Sequence, residues 1–311
     1  MLANFFNKAK PANYVLITLL FVVLYILAFF NSDITTYTFK IIMLKLIDIF
    51  LLLFMMFLYN FIIFKNKLTA NNHFGILFIS LLFGALYPIL IHTKILLAAV
   101  LLGLAFRRIY SLNIHNNLKN KLFDSGFLIA LSSFFFQENT VFIVLVYFAI
   151  LAFRHFKWNF IFIPIVGFAT PYFLSYIYSL GSNNWYFFNK IFKLNIAFSL
   201  DILNNKLFLF YTVIIVLLSS FSYILFTIKS KVFSNKFKAL WILVLEHFIL
   251  SLLLLFLGNK SNFYNSTLLI FPSGVILANY AGMISKKWVK EIFIILLVTL
   301  SLSSIIYSFV P

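Results

Sequence analysis

The chain has 311 residues, of which 64% are hydrophobic and 10% are charged, and its mean hydropathy is +1.06. So few polar residues cannot cover the surface of a soluble domain, and this composition excludes the soluble classes of protein. The chain contains no cysteine, which excludes disulfides and thiolate chemistry. Membrane topology accounts for the net charge of +17 better than nucleic-acid binding does, so we expect no nucleic-acid partner.

Eleven apolar segments follow one another along the chain, and many approach the roughly 20 residues that a helix needs to cross a membrane. They predict an all-α, polytopic transmembrane helical bundle that forms a single integral membrane domain over residues 1–311. The segments lie at about residues 13–30, 41–64, 74–91, 95–107, 123–136, 140–153, 160–180, 207–228, 240–257, 267–285 and 292–309.

The distribution of lysine and arginine predicts the orientation, because basic residues stay on the cytoplasmic side of a membrane. With the N-terminus inside, seventeen basic residues fall in inner segments and six in outer segments, and no arginine lies outside. The pattern predicts about eleven spans in an N-in/C-out arrangement. The longest inner connection, residues 107–122, is basic and amphipathic, and we expect it to bind anionic lipid headgroups.

The chain has only seven acidic residues, and two of them, Asp33 and Asp48, lie beside or within the first two spans. Asp33 lies in "FFNSDITTYTFK", just outside the first span, where it is either a functional carboxylate or a solvated loop residue. Lys45 and Asp48 lie three residues apart in the second span, and this spacing places them on one helix face where they can pair. Such a pair marks either a pathway through the membrane or a structural contact inside the bundle.

The stretch from residue 122 to 158 is apolar except for Gln137-Glu138-Asn139 in its middle. Both of its flanks are basic, so both are expected on the cytoplasmic side, and the stretch must turn back at these three residues. The result is a short helical hairpin over residues 123–153, with arms of about 14 residues or about 21 Å each. Glu138 is expected at its tip, as a functional carboxylate or a water-facing turn residue, and Asp124 is expected to cap the first arm.

The longest outer loop, residues 181–206, places aromatic and aliphatic residues at roughly helical spacing with Lys190 and Lys193 between them. This pattern is typical of an amphipathic helix that lies on the outer leaflet.

Glu246 and His247 lie in the middle of the ninth span. Together they predict a proton relay or a cation-coupling site, and for Glu246 the alternative is a hydrogen bond between helices. Adjacent helical residues point about 100° apart, so the two side chains need not address the same partner. Pro171 and Pro272 also lie within spans, where they either open backbone carbonyls to a cavity or form tolerated kinks.

The five histidines have no partner three or four residues away, so no metal site is expected. No nucleotide-binding or hydrolase motif occurs, and no cofactor is expected.

Several stretches carry a resemblance over essentially the whole chain: "FFNKAKPANYVL", "KNKLTANN", "LAFRRIYSL", "KLFDSGFLIALSSFFF" and "FKWNFIFIPIVGF". They resemble a family of uncharacterised multi-pass inner-membrane proteins of Bacteroidota. This resemblance implies a location in the bacterial cytoplasmic (inner) membrane and brings no assigned activity.

A second resemblance covers residues 95 to about 188, where a span, a basic loop, the short hairpin, a basic segment, a further span and an aromatic loop follow in order. This order is similar to the middle of GT-C-type glycosyltransferases, which transfer sugars from polyprenyl-phosphate carriers. The resemblance implies Asp33 as the catalytic base, Glu138 as a second polar contact, and Lys190 and Lys193 as contacts to the carrier phosphate. The first outer loop departs from that superfamily, because only about ten residues separate the spans and no second acid stands beside Asp33.

Three functions follow from these observations. The first is a non-catalytic or degenerate-transferase component of a cell-envelope machine, with a membrane lipid and a protein partner. The second is a transferase that uses sugars linked to polyprenyl-phosphate. The third is a proton-coupled transporter or flippase that uses Glu246, the Lys45–Asp48 pair and kinks at Pro171 and Pro272.

Overall fold

The structure is a computed structural model, and it describes residues 2–30, 39–183, 185, 205–229, 234–256 and 262–307. Over these residues the chain forms twelve α-helices and three 3₁₀ helices, and no strand. The predicted all-α class is therefore confirmed.

The α-helices and 3₁₀ helices follow in this order. The α-helices are α1 (Leu2–Phe6), α2 (Pro11–Phe30), α3 (Phe39–Asn66), α4 (Phe74–Ala85), α5 (Thr93–Tyr110), α6 (Leu118–Ser133), α7 (Ile143–Ala152), α8 (Trp158–Ser182), α9 (Lys206–Lys229), α10 (Asn235–Leu254), α11 (Asn262–Met283) and α12 (Lys287–Tyr307). The 3₁₀ helices are Tyr87–Ile91, Ser111–Asn113 and Gln137–Phe142.

Eight helical segments of the described chain are long and apolar enough to cross a membrane, as expected of a multi-pass membrane protein. They are Pro11–Phe30, Ile42–Asn66, Thr93–Asn113, Trp158–Ser182, Lys206–Lys229, Asn235–Leu254, Tyr264–Met283 and Lys287–Tyr307. The shorter apolar helices are Phe74–Ala85 and Gln137–Ala152. Each of the eleven predicted segments overlaps a helix, and α10, α11 and α12 begin five residues before the predicted start because their first turns contain polar residues.

The described residues form two compact units. Unit 1 takes its residues from 1–96, 200–233 and 262–311, and unit 2 takes its residues from 97–199 and 234–261.

Unit 1 is built around α4, in which all twelve residues are buried. A helix that is apolar on every side needs neighbours on every side, and α2, α3, α11 and α12 all pack against it. Small residues permit the closest approaches, since a side chain at Gly84 would overlap the Ser301 hydroxyl. The Ser304 hydroxyl also donates to the Gly84 carbonyl at 2.8 Å, which joins α12 to α4.

Unit 2 contains the helix break that the sequence predicts at residues 137–139. Helix α6 ends at Ser133, and a 3₁₀ helix leads into α7. The chain also turns back, because His155, just after α7, hydrogen-bonds through Nε2 to the Leu112 carbonyl at 2.8 Å, ahead of α6. Asn139 Nδ2 donates to the Ser132 carbonyl at 3.4 Å, so the turn is held against the end of α6.

The segment 107–122 is largely helical, which differs from the predicted loop. Helix α5 continues through both arginines to Tyr110, and α6 already begins at Leu118. Lys121 Nζ donates to the carbonyls of Ser111 and Ile114 at 2.7 and 2.9 Å, so it satisfies backbone groups that the helix end leaves open.

Asp124 does not cap the first arm, as the sequence predicts, because it lies in the second turn of α6. Its Oδ2 is 2.9 Å from a guanidinium nitrogen of Arg108, an ion pair that ties α6 to α5. The carboxylate is used between helices and not at a helix end.

The prolines do not divide their helices. Helix α8 runs through Pro164 and Pro171, and α11 runs through Pro272. These residues therefore behave as the tolerated interior prolines that the sequence leaves open as one alternative.

Candidate functional site

Three of the residues predicted for a transferase site, Asp33, Lys190 and Lys193, lie outside the described residues. The same holds for most of the predicted surface loop 181–206. Their roles stay predictions.

Glu138 is buried and does not face water. It lies in the 3₁₀ helix at the tip of the hairpin, and its side chain is only 6% exposed. The interpretation of Glu138 as a water-facing turn residue is therefore wrong, because the short hairpin folds its tip into the packing of unit 2.

Lys45 and Asp48 form the ion pair that their spacing predicts. Lys45 Nζ is 3.3 Å from Asp48 Oδ2 and donates to the Ile91 carbonyl at 2.8 Å. Asp48 is completely buried, and the Thr93 side chain lies beside its carboxylate. Burial lowers the pKa of the neighbouring His92, and the Lys45 ammonium lowers it further, whereas Asp48 raises it. These contacts join α3 to the 3₁₀ helix before α5, and they favour the structural role.

Glu246 and His247 face different surroundings, as their adjacent positions on a helix require. His247 is completely buried, with its Nδ1 3.1 Å from the Tyr110 hydroxyl. The Phe106 and Phe142 rings pack on it, with centroid distances of 4.2 and 5.5 Å. His247 is thus a core residue that joins α10 to α5. The sequence offers a hydrogen bond between helices for Glu246, and the structure shows one at the neighbouring His247 instead.

Glu246 lines an open cleft in unit 2 with a volume of about 800 Å³. One wall is the first part of α10, between residues 235 and 246, and the other is the end of α7 with residues 151–155. Asn113 and His115, which follow α5, complete the lining. We call this feature the unit 2 cleft. Its volume lies within the range of about 300–1,000 Å³ that is typical of small-molecule sites.

Cationic groups gather at the end of the cleft where α10 begins. Lys236 and Lys238 lie in the first turn of α10. Helix α7 packs along α10, and Phe142, just before α7, contacts His247, so Arg154 after the end of α7 lies toward the start of α10. The positive end of the α10 dipole points the same way. Within the described part of the chain, none of these three side chains forms an ion pair. The cleft therefore presents uncompensated positive charge at this end, which favours an anion.

Two histidines add to this end of the cleft. The rings of His115 and His155 lie edge to face with centroids 4.8 Å apart. The hydrogen bond from His155 Nε2 to the Leu112 carbonyl fixes the orientation of that ring. Because 40 residues separate the two histidines in the chain, their spacing in the sequence does not predict this contact.

The middle of the cleft is apolar. Leu151, Phe153, Ala239 and Ile242 line it, and both Leu151 and Ile242 are exposed. The cleft thus combines a cationic end, an apolar middle and the single carboxylate of Glu246. Such an arrangement suits an amphiphile better than a fully hydrated ion.

One signal of this site is present in the sequence, but the lysines that belong to it also have another explanation. Lys236, Ala239, Ile242 and Glu246 recur at spacings of three and four, which places them on one face of a helix. The lysines of this segment are also accounted for by the orientation of the spans. The second wall of the cleft comes from a segment about 80 residues earlier and has no local signal.

Comparisons with curated proteins and with solved structures found no match to the chain. A family model matches residues 1–310, and it describes a family of unknown function named DUF6427. Because this family model matches nearly all of the 311 residues, the chain belongs to the DUF6427 family.

Proposed function

We propose that this protein is a non-catalytic component of a bacterial cell-envelope machine, which holds a phosphate-bearing lipid of the inner membrane in the unit 2 cleft. In this proposal the chain crosses the membrane eleven times with its N-terminus inside. The observation that carries the proposal is a set of three cations, Arg154, Lys236 and Lys238, that form no ion pair with any described residue and lie at one end of a cleft with an apolar middle.

The proposed orientation brings this cationic end to the cytoplasmic leaflet. Three segments line it: residues 113–115, 151–155 and the start of α10. Each of them belongs to a connection that the eleven-span topology places inside, although they are far apart in the sequence. Anionic headgroups of that leaflet attract basic segments at the membrane surface.

A phosphate ester fits the side chains available at this end. Arginine can bind phosphate oxygens through two parallel N–H groups, and lysine adds a compact charge on a flexible stem. Leu151 and Ile242 can contact the hydrocarbon part of the same ligand, since both are exposed beside the cationic end. A polyprenyl-phosphate and an ordinary phospholipid both have this combination of groups.

Lipid binding by charge-matched variants tests the proposal. The cleft variant carries Arg154→Gln, Lys236→Gln and Lys238→Gln, and the control carries Lys119→Gln, Lys286→Gln and Lys287→Gln. The control residues are exposed and lie outside the cleft. The readout is the retention of phospholipid by purified full-length protein, measured by native mass spectrometry and by titration in nanodiscs.

We expect the cleft variant to lose affinity by about tenfold or more, because each charge-assisted contact contributes about 1.5–3 kcal/mol. The control variant should bind as the wild type does. Equal losses in both variants would show general surface attraction in place of a site, and unchanged binding in both would overturn the proposal.

A proton-coupled transporter or flippase is the second candidate function. Glu246 favours it, because this carboxylate lies in the middle of a candidate span and lines an open cleft. The transferase alternative depends on Asp33, Lys190 and Lys193, and a substitution of Asp33 by Asn that abolishes function would revive it.

A further inference from the structure

The unit 2 cleft has opposite charges at its two ends. The cationic end lies at the first turn of α10, and Glu246 lies ten residues further along the same helix face. At 1.5 Å per residue the two backbone positions are about 15 Å apart. An anion alone would satisfy only one end of such a cleft.

Among the residues that the structure describes, Glu246 has no counter-charge. It is half-buried, and its Oε2 is buried without a hydrogen-bond partner among the described residues. None of the basic side chains that line the cleft lies within ion-pair distance of it. An ionised carboxylate in a membrane span is unfavourable unless a cation or several hydrogen-bond donors accompany it.

The side chains can bring the two charged ends closer than their backbone positions. Lysine has a flexible four-carbon stem, so the ammonium groups of Lys236 and Lys238 can reach along the cleft. The lining between them and Glu246, at Ala239 and Ile242, offers no competing charge. A ligand of headgroup size that carries both charges would therefore meet complementary groups at both ends.

We infer that the unit 2 cleft binds a zwitterion that combines a phosphate ester with a primary ammonium group, as phosphoethanolamine does. The phosphate lies with Arg154, Lys236 and Lys238, and the ammonium donates to Glu246. This inference rests on the proposed function for the phosphate end and adds the recognition of the amine. The shared chemistry occurs in the headgroup of an aminophospholipid and in the free, water-soluble compound.

Binding of matched ligands to the purified full-length protein tests the amine contact. The lipid arm compares phosphatidylethanolamine with its N-acetylated counterpart in nanodiscs, and the soluble arm compares phosphoethanolamine with N-acetylphosphoethanolamine. Acetylation removes the ammonium and keeps the phosphate. We expect the wild type to prefer the free amine by about tenfold or more, which is the effect of one buried charge-assisted hydrogen bond. A preference confined to the lipid arm identifies an aminophospholipid, and one in the soluble arm identifies the free compound.

Two isosteric variants complete the test. Glu246→Gln should bind the amine and its acetylated counterpart alike, while Glu291→Gln, which removes a carboxylate outside the cleft, should keep the wild-type preference. A preference that survives in Glu246→Gln, or a wild type that does not distinguish the two ligands, would overturn the inference. If Glu246→Gln fails to fold, the binding of ligands that carry one, two or three N-methyl groups to the wild-type protein takes the place of this variant. Affinity should then fall as N–H donors are removed, and constant affinity would count against the contact.

The outcomes for the two proposals differ. If the triple cleft variant loses phosphate binding but Glu246→Gln keeps the amine preference, the inference fails and the proposed function stands. If the triple variant binds both ligands as the wild type does, the proposed function fails as well.

Discussion

Single polar residues in the apolar helices of this protein are mostly held by specific partners. Lys45 shows the pattern, because its ammonium group contacts both the Asp48 carboxylate and the Ile91 carbonyl. His247 is likewise held by the Tyr110 hydroxyl. Glu246 differs from these residues, since its side chain forms no hydrogen bond or ion pair with any described residue and lines the unit 2 cleft. At the scale of residues, this contrast is what separates a structural contact from a candidate binding group.

The Lys45–Asp48 pair predicts an unequal response to single and double substitution. Lys45→Met should lower the unfolding free energy by about 3–5 kcal/mol, because it leaves the Asp48 carboxylate buried without its counter-charge. The double variant Lys45→Met/Asp48→Leu should be closer to the wild type, since it removes both charges and keeps similar volume. Thermal unfolding of the purified proteins in the same detergent measures the stability of the single and the double variant relative to the wild type. A double variant as unstable as the single one would contradict the structural role.

At the scale of elements, the crossing of α6 and α8 depends on two glycines. A side chain at Gly126 would overlap the Pro164 carbonyl oxygen, and one at Gly167 would overlap the Phe123 carbonyl oxygen. The backbones of the two helices are thus in direct contact. Helices in membranes gain much of their packing from such close approaches, because lipid provides no hydrophobic driving force between them.

Alanine at Gly167 should therefore destabilise the protein, by about 1–3 kcal/mol as expected for overpacking. Gly181 is the matched control on the same helix, because no described residue lies within 4 Å of a side chain added there. Gly181→Ala should be neutral or slightly stabilising, since alanine favours a helix by about 1 kcal/mol over glycine. Thermal unfolding compares the two variants. If Gly167→Ala were as stable as Gly181→Ala, this would contradict direct backbone contact between α6 and α8.

At the scale of the whole molecule, the side of the membrane that each connection occupies depends on whether the short helices cross it. Helix α4 is about 18 Å long, and the 3₁₀ helix Tyr87–Ile91 that follows Leu86 adds about 10 Å. The 3₁₀ helix Gln137–Phe142 and α7 together reach about 27 Å, and α6 about 24 Å. These lengths are close to the hydrocarbon thickness of about 30 Å. If only the eight longer helices crossed, most basic connections after Lys94 would face outward, against the usual distribution of lysine and arginine.

Labelling of single cysteines distinguishes the two topologies, and the chain has no native cysteine to remove. With eleven crossings, a membrane-impermeant maleimide applied to intact spheroplasts should label Lys94→Cys and Lys206→Cys. It should label Lys157→Cys and Lys286→Cys only after the membrane is opened. All four positions are exposed, so accessibility within the fold does not limit the reaction. The reverse pattern would support eight crossings and would place the unit 2 cleft on the outer side.

Local sequence alone determined the features that depend on composition and short spacings. The apolar content predicts a helical membrane protein, three polar residues predict the break before α7, and an i,i+3 spacing predicts the Lys45–Asp48 pair. Each of these depends on neighbouring residues and on the solvent around the helix, so it can be predicted without knowledge of the packing.

Only the tertiary structure decided which polar groups meet. Glu138 is buried although its local sequence is that of an exposed turn, because the hairpin tip packs into unit 2. The unit 2 cleft joins residues near 115, 154 and 240, which no spacing in the sequence connects. Such contacts depend on how the helices cross, and the crossings depend on close approaches such as those at Gly126 and Gly167. The sequence singles out Glu246 as a candidate for proton transfer or cation coupling, and only the folded chain brings it into one cleft with Arg154, Lys236 and Lys238.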